Sequence, residues 1–577
     1  MLRGYSPNAR EMLYRFRLES LISEMAEAKI LLAVTKEFAE QDLSPQAVTN
    51  IDMGYIYEEL VRLTADLTNE EAGDHFTPRE VIKLMVNVVF STEDDLLGGE
   101  SKIVRAYDGG CGTGGMLTAA QDHIQTKNPN ARVHLYGQEL QPESFAIARA
   151  DSMLEDREAN IEFGNTLLKP TYTDDGQERT NGDAFADQKF DYMLMNPPYG
   201  KDWKTEAPHV KAEAKNDGFA GRFGAGLPAT SDGQILFVQH MISKMKPPEE
   251  GGSRIAVVLN GSPLFTGGAG SGMSEIRRWI IENDWLDCII GLPDQMFYNT
   301  GISTYIWILD NNKPEHRQGT VQLIDARELF VKMRKSLGNK RKELSDDNIA
   351  DITRLYESQV NNDMSKIVPN HEFGSVEFTV DRPLRQRYET NEEALTALAG
   401  VTAVKKLDDP EALVNAVKTA NIQTADDTEA RSQARQVLAS LGLKGKTLED
   451  AILKSVAVND ETAEPTVDKN DNPVADTSLR DTERIPMPEP VDGWDEDPTP
   501  RFETEPYRTA IEQHMQDDVL EWVPDAWVDH TKTRVGYDIP FTRLFYTYQP
   551  PRPLAEIRAD LADSQTRILE LLGEVGA

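Results

Sequence analysis

Residues 191–199, Asp191-Tyr192-Met193-Leu194-Met195-Asn196-Pro197-Pro198-Tyr199, set an apolar run against a stiff, polar exit. Pro197 has no amide hydrogen and drives Asn196 out of the helical region, and Pro198 does the same to Pro197. A buried strand therefore has to end in an extended loop. That loop offers the Asn196 carboxamide and the Pro197 carbonyl outward, beside the Tyr199 ring. Two adjacent acceptors suit one task, holding both hydrogens of a planar exocyclic amine. The lone pair of such an amine is delocalised, and pinning its hydrogens favours the pyramidal, nucleophilic form. Tyr199 can stack on the ring or amide plane that carries the amine. The ordinary structural alternative is a Pro-rich turn capping a strand, with Tyr199 as packing.

A second constellation lies upstream. Ile103-Val104-Arg105-Ala106-Tyr107-Asp108 reads as a short strand ending in an acid, followed by Gly109-Gly110-Cys111-Gly112-Thr113-Gly114-Gly115 and a helix. So many glycines let the backbone come close to a ligand, with amides and the helix N-terminus turned towards it. The dinucleotide fingerprint G-x-G-x-x-G is not cleanly met. Val133 to Glu139 reads as the next strand, and an acid at that position can accept both ribose hydroxyls of a nucleoside cofactor. Ile161 to Asn165 forms a third unit. Asp108, Glu139, Asn165 and Asn196 then all end strands on one sheet edge.

These residues need an open, doubly wound α/β sheet to align them. Helical periodicity covers residues 9–42 and roughly Met53 to Leu67. Thr77-Pro78-Arg79-Glu80 predicts a helix start, with Thr77 as N-cap, Pro78 at the first helical position and Glu80 closing a capping box. Further strands are expected at Arg254 to Leu259, Leu286 to Leu292, Ser303 to Leu309 and Gln322 to Ile324. Past residue 380 an alanine-rich helical stretch (391–456) leads into an acidic segment, 457–505, that reads as a linker or arm. A compact aromatic stretch, 537–546, precedes a terminal helix whose Leu554, Ile557, Leu561, Ile568, Leu571 and Leu572 suit a neighbouring helix. The expected division is 1–70, 71–380, 381–505 and 506–577.

Composition narrows the classes. The 577 residues carry a formal charge of −36, which argues against coating nucleic acid through bulk charge. One local basic segment stands out, with Lys332, Arg334, Lys335, Lys340, Arg341 and Lys342; a solvated helix–loop and a phosphate contact both fit it. The two cysteines, Cys111 and Cys288, are far apart, which excludes a disulfide framework and disfavours cysteine-bound zinc; no metal is expected. No apolar run approaches the roughly 18 residues of a membrane span, and no secretory signal opens the chain, so a reducing cytoplasm is expected. Ser440 to Thr447 ends like a phosphate loop but lacks the first glycine and a preceding strand, and is rejected as a nucleotide site.

With these motifs in view, the chain resembles the modification (M) subunits of type I restriction–modification systems, which are amino-group DNA methyltransferases. His75-Phe76-Thr77-Pro78 matches the family's segment against the methionine part of S-adenosyl-L-methionine. Asp108 to Gly115 matches its cofactor loop, usually D-P-A-C-G-T-G-G, and Glu139 its ribose-binding acid. Asn196 to Tyr199 matches the N-P-P-Y catalytic motif. Asp232 to Phe237 resembles the helix after that loop, and Leu292 to Phe297 is also characteristic.

The resemblance implies a methyltransferase sheet with a truncated N-terminal helical region and a C-terminal helical extension. It implies methyl transfer from S-adenosyl-L-methionine to the N6 amine of a flipped-out adenine in duplex DNA. Phe76, Thr77, Pro78, Asp108, Gly110, Gly112, Thr113, Gly114, Gly115, Glu139 and Asn165 would hold the cofactor. Asn196, Pro197, Pro198 and Tyr199 would be catalytic. Implied partners are a specificity (S) subunit, met by residues 535–546 and the final helix, a restriction (R) subunit and a second M subunit. Two departures are visible: Gly109-Gly110 replaces Pro-Ala, which predicts a looser loop, and Asn165 stands where Asp is common, which predicts weaker adenine binding. Methylation of a protein glutamine or an RNA base, and an inactive scaffold, remain as rivals.

Overall fold

The computed structural model describes residues 10, 14, 18–44, 47–48, 77–91, 102–154, 157–170, 182–298, 300–468, 470–546, 548 and 553–575. Phe76 and the helix expected over Met53 to Leu67 lie outside them.

The doubly wound α/β sheet expected from the alternation of strands and helices is the one that forms. In chain order its strands are β1 (Ile103–Asp108), β2 (Arg132–Glu139), β3 (Ala159–Phe163), β4 (Tyr192–Met195), β5 (Arg254–Asn260), β6 (Leu286–Gly291), β7 (Thr304–Asp310) and β8 (Thr320–Asp325). A hairpin of β9 (Val331–Leu337) and β10 (Lys340–Glu343) follows, and β11 (Ser365–Pro369) closes the sheet. The nine strands lie in the order β3-β2-β1-β4-β5-β7-β6-β8-β11. The first five pair in parallel, while β7 is inserted antiparallel to both β5 and β6. Its reversal places Thr304 opposite Asn260 and Asp310 opposite Arg254. The loop that enters β7 therefore reaches the same sheet edge as the ends of β4 and β5.

Side chains alternate across each strand, and both faces are covered, which is why β4 reads as an unbroken apolar run. Tyr192 and Leu194 enter one core with helix Arg79–Phe90, helix Gly115–Lys127 and helix Asp346–Ser358. Met193 and Met195 enter the other, against helix Gln234–Ser243 and helix Gly272–Glu282. Each fully buried side chain of this kind contributes about 1.5–3 kcal/mol.

Beyond the sheet, β12 (Gly374–Asp381) is followed by a helical unit with its own apolar core around Leu398, Leu413, Val417 and Ile452. Three short strands, β13 (Gln386–Glu389), β14 (Gln423–Thr424) and β15 (Ala457–Asn459), bind that unit together. The acidic segment 457–505 then runs back towards the nine-stranded sheet and its helices. Its β16 (Asp481–Pro486) pairs with β12, whose other edge takes β17 (Trp527–Tyr537). Its acids and carbonyls meet buried cations: Arg278 donates to the Asp495 carbonyl at 2.7 Å, and Arg501 joins Glu282 to Asp495. In the C-terminal stretch Tyr537, Ile539 and Phe541 are buried, whereas Leu554, Ile557, Leu561 and Ile568 of helix Leu554–Val575 are exposed. Among the described residues no helix is long and apolar enough to cross a membrane.

Two local expectations are corrected. Pro78 rather than Thr77 is the N-cap of helix Arg79–Phe90, and a proline has no side-chain group to cap it. The Thr77 hydroxyl accepts from Asn196, and Glu80 is drawn to Lys340, so tertiary partners outcompete the local capping box. The basic segment 331–343 is a strand pair rather than a helix–loop.

Candidate active site

A cavity of about 330 Å³ opens at the carboxyl ends of β1, β2 and β4, within the size range of small-molecule sites. Its lining includes Thr77, Asp108, Gly110, Gly112, Thr113, Gly115, Glu139, Asn165, Asn196 and Pro198. Residues 108–115 and the Asn196 loop thus share one space on one edge. Gly114 sits just behind the lining as the left-handed N-cap of helix Gly115–Lys127. Pro78 starts its helix outside the lining, Pro197 is buried, and Tyr199 stands at the side of the cavity with its ring edge-on to Phe297 at 6.2 Å.

Asn196 is fixed at both ends of its carboxamide. Its Nδ2 donates to Thr77 Oγ1 at 2.9 Å, while its Oδ1 accepts from the Tyr199 hydroxyl. Burial pushes the Tyr199 phenol well up, so it stays a donor. The loop that carries them is pegged by Trp203, which is buried and donates through Nε1 to the Ala229 carbonyl at 2.9 Å. Gly233 closes the loop from the far side, donating to the Lys201 carbonyl at 3.2 Å.

The glycine loop is tied to the acids. Asp108 Oδ1 accepts from the Gly110 amide at 3.0 Å. Glu139 Oε2 accepts from the Gly112 amide at 2.8 Å, and its Oε1 from the Gln141 amide at 2.7 Å. Burial pushes the Asp108 carboxyl up to about 8; the Gly110 amide opposes the rise and the nearby Glu139 adds to it. Cys111 is buried, and burial raises its thiol well above the usual range, so it is packing rather than a nucleophile. Asn165 is held by Glu206, to which its Nδ2 donates at 2.8 Å, and its Oδ1 accepts from the Leu167 amide at 3.0 Å.

Of the two extra glycines, Gly109 is closely packed. A Cβ on Gly109 would stand 2.7 Å from both the Met195 methyl and the Tyr107 hydroxyl. A side chain at Gly109 would require the Met195 methyl and the Tyr107 hydroxyl to give way. Gly110 is under no such demand, since a Cβ there would meet only the Met195 methyl at 3.8 Å.

A buried polar cluster supports the floor. Arg222 is paired with Glu213 and donates to the Thr166 carbonyl at 2.8 Å, the Leu167 carbonyl at 3.1 Å and His240 Nδ1 at 3.3 Å. Burial, then Lys244 and Arg222, holds His240 well below its usual range, so the ring is neutral. With Nδ1 accepting, Nε2 carries the proton and donates to the Tyr107 hydroxyl at 2.9 Å. Sequence reasoning missed this cluster, and also the lining residues Gln141, Glu143, Ser144, Lys201 and Phe237. Gln141 and Glu143 were accessible as the start of the helix after β2; Arg222 carried no local signal.

The donor set fits a nucleoside-bearing cofactor. Glu139 ends β2 where ribose hydroxyls are met. Among the described residues, a Cβ on Gly112 would meet no atom within 4 Å; the residue's φ of +54° also favours glycine.

The model for the family described as N-6 DNA Methylase matches residues 49–394, well over half of the sequence. The chain belongs to the N-6 DNA methylase family. It is similar to the type I restriction enzyme MjaIX methylase subunit of Methanocaldococcus jannaschii, 26% identical over 309 residues, covering 53% of this chain and 49% of that one. It is also similar to the HindI methylase subunit of Haemophilus influenzae, 28% identical over 284 residues, covering 48% and 54%. Among solved structures, the type I methyltransferase subunit from Streptococcus thermophilus matches with a TM-score of 0.46 at 25% identity, covering 60% of this chain and 65% of that one. The chain spans about half the length of the curated relatives it matches.

Proposed function

We propose that this chain is the modification subunit of a type I restriction–modification complex. It transfers a methyl group from S-adenosyl-L-methionine to the N6 amine of adenine in duplex DNA. One observation carries the reading: the Asn196 carboxamide, oriented by Thr77, opens into the same cavity as the Asp108–Gly115 loop and Glu139.

In this reading Glu139 receives the ribose, and Asp108, the loop amides and Thr77 line the remainder of the cofactor site. Bound there, S-adenosyl-L-methionine supplies a methyl group already activated on a sulfonium. Asn196 Oδ1 and the Pro197 carbonyl hold the two hydrogens of the adenine amine, and Tyr199 turns its ring to the flipped base. The main contribution of the chain is alignment rather than acid–base chemistry. No stretch of the sequence resembles a target-recognition domain, so sequence choice is assigned to a specificity subunit. The relatives are methylase subunits of type I restriction enzymes, and in this reading a restriction subunit and a second modification subunit complete the assembly.

The test is methyl transfer from labelled cofactor to duplex DNA, RNA and a glutamine-bearing protein, with the matching specificity subunit present. Transfer to adenine in duplex DNA, lost in Asn196→Ala while cofactor binding persists, is the expected result. Transfer to RNA or protein instead would replace the substrate. No transfer at all would make the chain a scaffold.

A further inference from the structure

The β9–β10 hairpin is a local inversion of charge. Residues 331–343 hold six cations and one acid, in a chain whose formal charge is −36. β10 is the inner strand and lies on the loop that enters β7. The amides of Arg341 and Asn339 donate to the Gln295 and Tyr298 carbonyls, each at 2.9 Å. Two of its cations are neutralised there, Lys340 by Glu80 and Lys342 by Asp294. β9 is the outer strand and, among the described residues, pairs with β10 alone. Lys332, Arg334 and Lys335 on it, and Arg341 across from it, are exposed. Among the described residues none of these four makes an ion pair.

Two short links join the hairpin to the amine-binding loop. Phe297, between the carbonyls that hold β10, is edge-on to Tyr199. Glu80, which holds Lys340, lies three residues after Thr77, whose hydroxyl holds Asn196. The unpaired cations therefore stand at the rim of the candidate active site.

A two-stranded ribbon is marginal without added support, and β10 receives it from the loop that enters β7 and from Glu80. Lys332 is directly opposite Lys342, which Asp294 already neutralises, so the β9 cations serve no pairing within the ribbon. Lysines on an exposed edge can simply block strand addition, but charges of either sign would do so. Unpaired positive charge here matches a polyanion, and the acidic remainder of the surface repels one.

We propose that β9 is a phosphate-binding ribbon. Lys332, Arg334, Lys335 and Arg341 grip the backbone of duplex DNA beside the flipped base and seat the duplex against the cavity mouth. The inference rests on the reading of the site as a DNA adenine methyltransferase and adds the residues that hold the duplex.

The experiment compares the full chain with its K332Q/R334Q/K335Q/R341Q variant, each with the matching specificity subunit, on a fluorescent duplex between 50 and 200 mM salt. Each lost phosphate contact should lower the slope of log affinity against log salt by roughly 0.9. The four together should weaken binding about tenfold or more at 0.1 M salt. KM for DNA should rise while kcat and cofactor affinity hold, and the K332R/K335R variant should bind like the parent. An unchanged slope and KM, a parent chain with no duplex binding, or a variant that only aggregates would overturn the proposal, the last pointing to edge protection. Failure of the catalytic reading looks different: the parent then binds duplex with the hairpin-dependent slope yet methylates no adenine.

Discussion

Asn196 Nδ2 donates to Thr77 Oγ1 at 2.9 Å across 119 residues of sequence, and with the Tyr199 hydroxyl on Oδ1 this bond orients the carboxamide. An amide whose two ends were free to exchange would offer an NH2 to an incoming amine half of the time. Thr77→Val keeps the shape and removes the oxygen. It should lower kcat about tenfold, the worth of one net hydrogen bond of about 1–1.5 kcal/mol. Rapid-quench methyl transfer measures it, with cofactor affinity by calorimetry as the control. An unchanged kcat would mean that something else orients the amide.

The Tyr199 hydroxyl already donates to Asn196 Oδ1, the acceptor that the substrate amine needs. An amide oxygen has two lone pairs, so the amine shares Oδ1 with that hydroxyl. Tyr199→Phe should keep transfer within a few-fold of the parent, because the ring is retained and Oδ1 still accepts. Tyr199→Ala should lose about 1–3 kcal/mol of base stacking, read as a rise in KM for DNA. Equal losses in both variants would assign the work to the hydroxyl instead.

Asp108 gives a pH signature. Its carboxyl, pushed by burial up to about 8, is protonated at neutral pH in the folded chain. A cation-bearing cofactor selects the carboxylate, so binding expels a proton. Affinity should climb about tenfold per pH unit as pH rises towards 8 and level off beyond it. Asp108→Asn should flatten that profile. For stability the sign is opposite: the folded chain holds the proton that the unfolded chain has released, so this group's contribution falls as pH rises from its ordinary range through 8. Calorimetry in buffers of different ionisation enthalpy would count the proton.

Gly109 and Gly110 should behave differently although they are neighbours. Gly109→Ala forces a methyl group against Met195 and Tyr107 and should cost about 1–3 kcal/mol as overpacking. Gly110→Ala should be nearly silent. Thermal melts and cofactor binding on the two variants decide it.

Glu213→Ala would leave Arg222 buried without its carboxylate. Removing one member of such a pair costs about 3–5 kcal/mol, and the loss should appear both in the melting temperature and as weaker cofactor binding. The second effect follows because Arg222 also grips the carbonyls of Thr166 and Leu167, beside the cavity.

Much of the sheet and the shared edge of Asp108, Glu139 and Asn196 could be read from the chain, because strand periodicity and the glycine and proline punctuation are local signals. What escaped was set by distant partners. Thr77 and Glu80 satisfy a capping pattern in sequence yet are claimed by Asn196 and Lys340. Gly109 looked like slack until Tyr107 and Met195 were seen to crowd it. The basic segment concealed alternating Val331, Met333 and Leu337 and a Gly338-Asn339 turn beneath its charges, and so it was not read as a hairpin.

The reversed course of β7 separates the two edges of the sheet for anyone wishing to watch the molecule at work. Chain entering at Thr304 hangs over the chemistry, but chain leaving at Asp310 runs to the opposite rim, where Glu315 and His316 face solvent. Both native thiols are buried. A cysteine placed at Glu315 would be the accessible handle for a dye, and its tumbling would report assembly without disturbing the reaction it accompanies.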